Sequence, residues 1–442
     1  MECLKSIYYT ERHPCARFAM EENMKTMTLF TLICLIIACC PYRLTHAADT
    51  NGMKETAAGN NAFAADLYQA LRARPGNLLF SPYSIFTALA MTYAGARGST
   101  EQEMAAAVHF PYPQNTLHAR LAGIQSHLSA LETPGYIRLR VANSLWLQQG
   151  LSLLPAFTQV LQDAYASNLK HVDFATNAES ARESINTWVE NKTNGKIGDL
   201  IKPGVLSALT RLVLCNAIYL KAPWAEQFHE GNTKREPFHL SANKEIQVDM
   251  MHQVDTFRYK DFATFTAIEL PYSSTGKPFG RPGDPSMIVL LPKTIDGLAA
   301  LERAIGAEIL QQRLQELHET PAVKVILKLP RFKTTQECQL ADILSRLGMP
   351  GAFRADRADF SGMTGAKDLF ISAIIHKAFI DVNEKGTEAA AATAVVMAAT
   401  AARPLKPKEP ERFIADHPFM FLIRDNQSGA ILFMGRIVDP TQ

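Results

Sequence analysis

The sequence is short of cysteine over most of its length. Seven occur in 442 residues, but Cys3, Cys15, Cys34, Cys39 and Cys40 fall within the first 40, leaving only Cys215 and Cys338 beyond them. That excludes a disulfide scaffold. Both later cysteines lie in apolar or helical surroundings and read as buried free thiols. A surplus of one charge is also missing. Lys and Arg number 45 against 43 Asp and Glu, a formal net charge of +2, which argues against the basic surface that a nucleic-acid or anionic membrane partner requires. Catalytic signatures are absent as well: no Gly-x-Ser-x-Gly elbow, no Cys-x-x-Cys, no phosphate-cradling glycine loop, and at His318-Glu319 no second histidine to complete a zinc motif. An enzyme is not expected, and neither a metal nor an organic cofactor is implied.

What is present is ordinary globular composition, 47% hydrophobic and 20% charged, with no linker-like stretch to divide it and ample length for one large core. Lys25 precedes a mostly apolar run from Met27 to Cys40, too short to cross a bilayer, and Thr45-His46-Ala47 offers a small-residue cleavage site. Residues 1–47 therefore read as a targeting segment, with translation starting at Met1 or Met24. Export is expected in either of two forms. The protein is freely secreted, or, because Ile36-Ile37-Ala38-Cys39 resembles a bacterial lipoprotein box, it is membrane-anchored through Cys39. Residues 48–442 are left as a single domain.

Along that domain, apolar spacing at Phe63, Leu67 and Leu71 predicts a helix over residues 60–74. Ser81-Pro82 reads as an N-cap with proline in the first turn, and Thr100 with Glu103 as a capping box. Residues 179–192 and 340–347 are predicted helices. Strands are predicted over 137–147, 211–220, 286–291, 323–329, 369–375, 419–424 and 430–437, the last two joined by Asp425-Asn426-Gln427-Ser428-Gly429. Helices dominate the first half and strands the second, so the fold class is α+β. Gly276–Pro285 reads as a surface loop.

The segment that breaks the pattern runs from Ala389 to Ala402, without a charge, a proline or a large polar side chain. Alanine favours helix, but two Thr and two Val interrupt the run and no polar face is left for solvent. As a strand it is coherent. Thr387, Ala389, Ala391, Thr393, Val395, Met397 and Ala399 would share one face, all small or apolar, with Glu388 on the other. Pro404, Pro407 and Pro410 follow every third residue and favour extended backbone. An exposed loop suited to burial as a strand has two places to go.

At this point the chain resembles the serpins. Glu384-Lys385-Gly386-Thr387-Glu388-Ala389-Ala390-Ala391-Ala392-Thr393 is similar to the hinge of inhibitory members, and Phe413–Phe421 with Phe433–Arg436 to the C-terminal signature. Asn77–Ser84, Asn216–Phe228 and Asp359–Met363 resemble further family motifs, in family order. The resemblance implies about nine helices around three β-sheets, with an exposed reactive-centre loop over about 384–411. It implies a suicide inhibitor of serine proteases: a monomer that forms a covalent complex with its target, whose loop could also join the sheet of another copy in polymers. The hinge residues carried over are Glu384, Gly386, Thr387, Glu388 and Ala389, Ala390, Ala391 and Ala392. Ser81, Ser84, Asn216 and His376 match the gate through which the strand enters, Trp224 lies under the insertion point, and Arg331 is the expected partner of Glu384. The family spacing from Gly386 puts the reactive bond at Thr400-Ala401, and small residues there point to an elastase-like target. The stretch from Thr400 to Pro418 is longer than in the family, which leaves that register open by a few positions. A non-inhibitory serpin serving as carrier, chaperone or storage protein is the alternative.

Overall fold

The computed structural model describes residues 51–132, 136–166, 169–275, 281, 283–387 and 409–442. Residues 53–442 form one compact unit. The leader with Cys39, the hinge residues Glu388 and Ala389–Ala392, and the Thr400-Ala401 bond all lie outside the described residues.

The helices are α1 (residues 51–71 among those described), α2 (Pro82–Tyr93), α3 (Gly98–Val108), α4 (Gln114–Ala130), α5 (Pro155–Tyr165), α6 (Phe174–Lys192), α7 (Leu298–Ala304), α8 (Ala307–Glu319), α9 (Ala341–Arg346) and α10 (Ser361–Thr364). Ser81 caps α2 as expected, its hydroxyl accepting from the Ser84 amide at 3.2 Å, with Pro82 next. The capping box does not form. Helix α3 already begins at Gly98, and its two candidate side chains serve tertiary contacts: Thr100 Oγ1 accepts from the Asp359 amide and Glu103 from the Gly351 amide. The first helix ends at Leu71, short of residue 74.

The strands are β1 (Leu78–Phe80), β2 (Arg138–Gln148), β3 (Leu169–Val172), β4 (Leu212–Pro223), β5 (Lys234–Ser241), β6 (Lys244–Asp261), β7 (Phe265–Pro271), β8 (Ser286–Pro292), β9 (Ala322–Pro330), β10 (Phe332–Gln339), β11 (Ile371–Asn383), β12 (Gly386–Thr387), β13 (Glu411–Ile414), β14 (Phe419–Arg424) and β15 (Ile431–Ile437). Hydrogen bonding joins them into a six-stranded sheet, β10-β11-β12-β4-β2-β3, and a nine-stranded one, β1-β15-β14-β8-β7-β6-β9-β13 with β5 paired to β6. The long β6 pairs with β5 at one end and β7 at the other, so what would be two smaller sheets are continuous through it.

The six-stranded sheet is buried on both faces at its centre. Leu212, Leu214, Ile218 and Leu220 of β4 face one side, while Val213, Cys215, Ala217 and Tyr219 face α6 and residues 197–206 on the other. Cys338 packs in the first of these layers and Cys215 in the second, so the two free, buried thiols lie on opposite faces. Strand β11 extends well past the predicted 369–375. It pairs with β10 from Ile375 to Val382 on one edge, and on the other with β4 from Ile371 to Phe379 and with β12 at Val382 and Asn383.

Candidate functional site

Two features of the six-stranded sheet concentrate the chemistry. The first is its seam. From Ile371 to Phe379, β11 pairs in parallel with β4 (Leu212 to Tyr219), whereas β10–β11 and β2–β4 are antiparallel. Parallel ladders hold slightly less well per residue. Above the seam the chain reverses at Glu384-Lys385 and returns as β12, wedged between both strands. Thr387 pairs with Val382 and Ala222, and Gly386 with Asn383 and Pro223, all antiparallel. The predicted hinge thus starts as a two-residue strand inside the sheet.

Its seat is built to fit. Gly386 adopts φ +146°, and a Cβ there would lie 2.2 Å from the Ala222 carbonyl oxygen, so no side chain is admitted. Thr387 is fully buried, its hydroxyl 2.6 Å from the Tyr272 hydroxyl. Tyr272 stacks on Trp224 at 4.6 Å and 7°, and the Trp224 indole N–H donates to the Asn383 carbonyl at 2.9 Å. The Trp224 and Phe228 amides take up the carbonyls of Lys385 and Glu384, each at 3.0 Å. The turn is thereby tied down by its backbone.

Glu384 is clamped as well. Arg331 Nε lies 2.7 and 2.8 Å from its two carboxylate oxygens, its Nη2 lies 2.5 Å from one of them, and Thr233 donates to the same carboxylate. Burial works to raise the Glu384 pKa, but the Arg331 and Thr233 bonds outweigh it and hold the carboxyl below its ordinary range.

The second feature is a row of polar side chains across the seam. His376, Asn216 and Asn143 are direct cross-strand neighbours on β11, β4 and β2. His376 Nδ1 donates to Asn216 Oδ1, and Asn216 Nδ2 donates to Asn143 Oδ1 and to the Ser84 hydroxyl. Ser84 donates to Asn143 Oδ1 at 3.0 Å, and Asn143 returns a bond to the Ser84 carbonyl at 3.1 Å. The Ser81 amide donates to His376 Nε2 at 3.1 Å, and its hydroxyl to the Leu432 carbonyl at 2.6 Å. The start of α2 therefore clasps both strands of the seam, each donor finding an acceptor as burial demands.

Because Nε2 accepts a hydrogen bond in a fully buried position, His376 is held neutral. Burial pushes its pKa down to about 3, and that of the buried His118 to about 4. In the unfolded chain both titrate near the usual 6.5. The unfolded state thus binds more protons between these values, and stability is lost as pH falls from about 6.5 toward 3, at up to about 1.4 kcal/mol per pH unit for each histidine. Urea unfolding at pH 7 and pH 4.5 should show the loss, and His376→Gln should make it shallower. An equal slope in the variant would mean that His376 is not held neutral.

The structure brings Ser81, Ser84, Asn216 and His376 into one network and groups Trp224, Arg331 and Glu384 around the Gly386-Thr387 strand. Three participants escaped the sequence: Asn143, Tyr272 and Thr233. For Asn143 a signal existed. It interrupts the otherwise apolar face Leu139, Val141, Leu145, Leu147 of its strand, as Asn216 and His376 interrupt theirs. Tyr272 and Thr233 had none, because each reaches the hinge only through the fold.

Comparison with known proteins fits this arrangement. The family described as Serpin (serine protease inhibitor) matches residues 58–440. An uncharacterised serpin-like protein of Thermococcus kodakarensis is 41% identical over 86% of this chain and 84% of its own. The leukocyte elastase inhibitor of Bos taurus is 39% identical, over 88% of this chain and 100% of its own. Among solved structures, Serpin48, a highly specific serpin of the insect Tenebrio molitor, superposes with a TM-score of 0.75 at 33% identity, covering 87% of this chain and 98% of that one. The expectation of export is corrected here. The bovine relative is matched over its whole length by 88% of this chain, which leaves it no counterpart for a leader of the kind read in residues 1–47. Among the described residues no helix is long and apolar enough to cross a membrane. Neither secretion nor an anchor at Cys39 stands.

Proposed function

This chain belongs to the serpin family, protease inhibitors rather than enzymes, and from that premise we propose that it traps serine-type endopeptidases as a suicide substrate. The reading takes residues 48–442 as one inhibitor domain with its reactive-centre loop over about 384–411. The observation that carries it is the hinge stub, Gly386-Thr387 already lodged as a strand above a seam of parallel pairing. Continuing that strand downward would replace one parallel ladder by two antiparallel ones. It would also place Ala389, Ala391, Thr393, Val395, Met397 and Ala399 on the buried face that Thr387 already occupies.

In this mechanism the protease serine attacks the Thr400 carbonyl. Ala401 departs as a free amine and Thr400 remains esterified to the enzyme. The released strand then enters the seam and carries the ester with it, an order–disorder switch of a kind found elsewhere. Some 15 residues at about 3.3 Å each move the ester by about 50 Å, far enough to pull the protease across the inhibitor and distort its active site. Ala399, Thr400 and Ala401 suit a small-residue pocket, and the bovine relative is named for leukocyte elastase, so an elastase-like protease is the proposed target.

The test is incubation with elastase-, subtilisin-, chymotrypsin- and trypsin-type proteases, followed by denaturing gels and mass spectrometry. An SDS-stable complex is expected with the elastase-like enzyme, and the mass of the released C-terminal peptide fixes the cleaved bond. Clean cleavage by all four, with no complex and no gain in thermal stability, would overturn the proposal.

A further inference from the structure

His127 lies in the last turn of α4, its Nε2 3.1 Å from Asp425 Oδ1. Asp425 opens the turn between β14 and β15 and is fully buried, while the His127 side chain is 12% exposed. The other carboxylate oxygen of Asp425 is occupied by the Ser428 amide at 2.8 Å and the Ser428 hydroxyl. His127 therefore supplies the side-chain donor for Oδ1. Asp425 is the one carboxylate found to act on this imidazole among the described residues. The charge of Asp425 also acts on Tyr83 of α2 and Arg424 of β14.

The helix held by this contact borders the seam machinery. A cavity of about 270 Å³ lies between α4 and β2, lined by Leu128 of α4, Leu139, Val141 and Asn143 of β2, and Tyr83 of α2. Strand β4 is paired with β2 from Leu212 to Lys221. Parting β4 from β11 therefore moves β2 as well, and the cavity is the free space beside it. Asn143 ties that wall directly to the row across the seam.

We propose that His127 and Asp425 form a proton-operated latch that pins the end of α4 to the β14–β15 turn and resists opening of the β11–β4 seam. When His127 carries a proton, the contact is an ion pair with a buried carboxylate at a helix C-terminus, where a cation is favoured. When the proton leaves, the neutral imidazole can still donate to Oδ1, but the ion-pair attraction between His127 and Asp425 is lost and Arg424 is left as the cation nearby. The hydrogen bond to Asp425 raises the His127 pKa, against the effect of burial. The extra stability is thus fully present below the ordinary histidine pKa and is lost as pH rises through the raised one.

The experiment compares wild type with His127→Gln, which keeps a neutral donor and cannot titrate. It needs no protease, so its outcome is independent of the inhibitory reading. Melting temperatures are measured at pH 6 and pH 8 in equal salt. The wild type should lose about 1–2 °C more than the variant over that interval. Other histidine–carboxylate contacts, such as His109–Asp66 and His417–Asp416, are common to both proteins and cancel. Amide exchange, corrected for its intrinsic pH dependence, should show about two- to fivefold faster opening at pH 8 in the last turn of α4 and in β2, in wild type alone. Equal pH slopes in the two proteins, or faster opening confined to α4 with β2 unchanged, would overturn the latch.

Discussion

Thr387→Arg is expected to turn the inhibitor into a substrate: the protease should still cut the loop, while the yield of SDS-stable complex falls by about tenfold or more. Thr387 is fully buried, and its hydroxyl is spent on Tyr272, which is stacked against Trp224. A guanidinium placed there replaces a hydroxyl bonded to Tyr272, in a buried seat against the Tyr272–Trp224 stack. Burying such a charge unpaired costs several kcal/mol, and each 1.4 kcal/mol shifts a competition between two steps tenfold. Before cleavage the chain escapes this cost by leaving β12 unformed, so resting stability should change little. After cleavage the first residue of the entering strand must take that seat, and deacylation wins the race. Complex yields measured against wild type decide the matter, and a variant that still traps protease at the wild-type yield would show that Thr387 does not lead the insertion.

Asn216→Ala is expected to act in the opposite sense, loosening the sheet before any protease arrives. The fully buried Asn216 side chain bonds His376, Ser84 and Asn143, and so joins the two strands of the seam and the start of α2. Its removal orphans the His376 Nδ1–H and empties one acceptor site on each of two oxygens, at about 1–3 kcal/mol per buried unpaired group. The Ser84–Asn143 bond at 3.0 Å survives and limits the damage. We expect a net loss of about 3 kcal/mol, seen as a fall of several degrees in the melting temperature. Inhibitory activity should also decay on standing at 37 °C, because a seam that parts unaided admits its own uncut loop. A melting temperature within a degree of wild type would show that the row does not clasp the seam.

Both predictions rest on residues whose identity was legible and whose partners were not. The alternation of small residues from Thr387 to Ala399 carries an intrinsic periodicity, so the capacity of that stretch to be a buried strand could be read locally. The polar interruptions at Asn216 and His376 stand out against the apolar faces of their own strands for the same reason. The capping box at Thr100 and Glu103 failed because the local pattern cannot show that Asp359 and Gly351, more than 240 residues away, present amides to the same oxygens. Tyr272 and Thr233 were invisible on the same grounds, since the residue each serves is 115 and 151 positions distant.

The sequence by itself determined the α+β class, the family and the two lone thiols beyond residue 40. Each of these depends on composition, on local periodicity or on a motif read along the chain. Tertiary structure alone decided that the seam is a parallel pairing, that Gly386-Thr387 already occupies its upper end, and that Asn143, His376 and Ser84 share one network through Asn216. Register between strands is fixed by long-range packing and hydrogen bonding, and neither can be read from the segment that carries the residue.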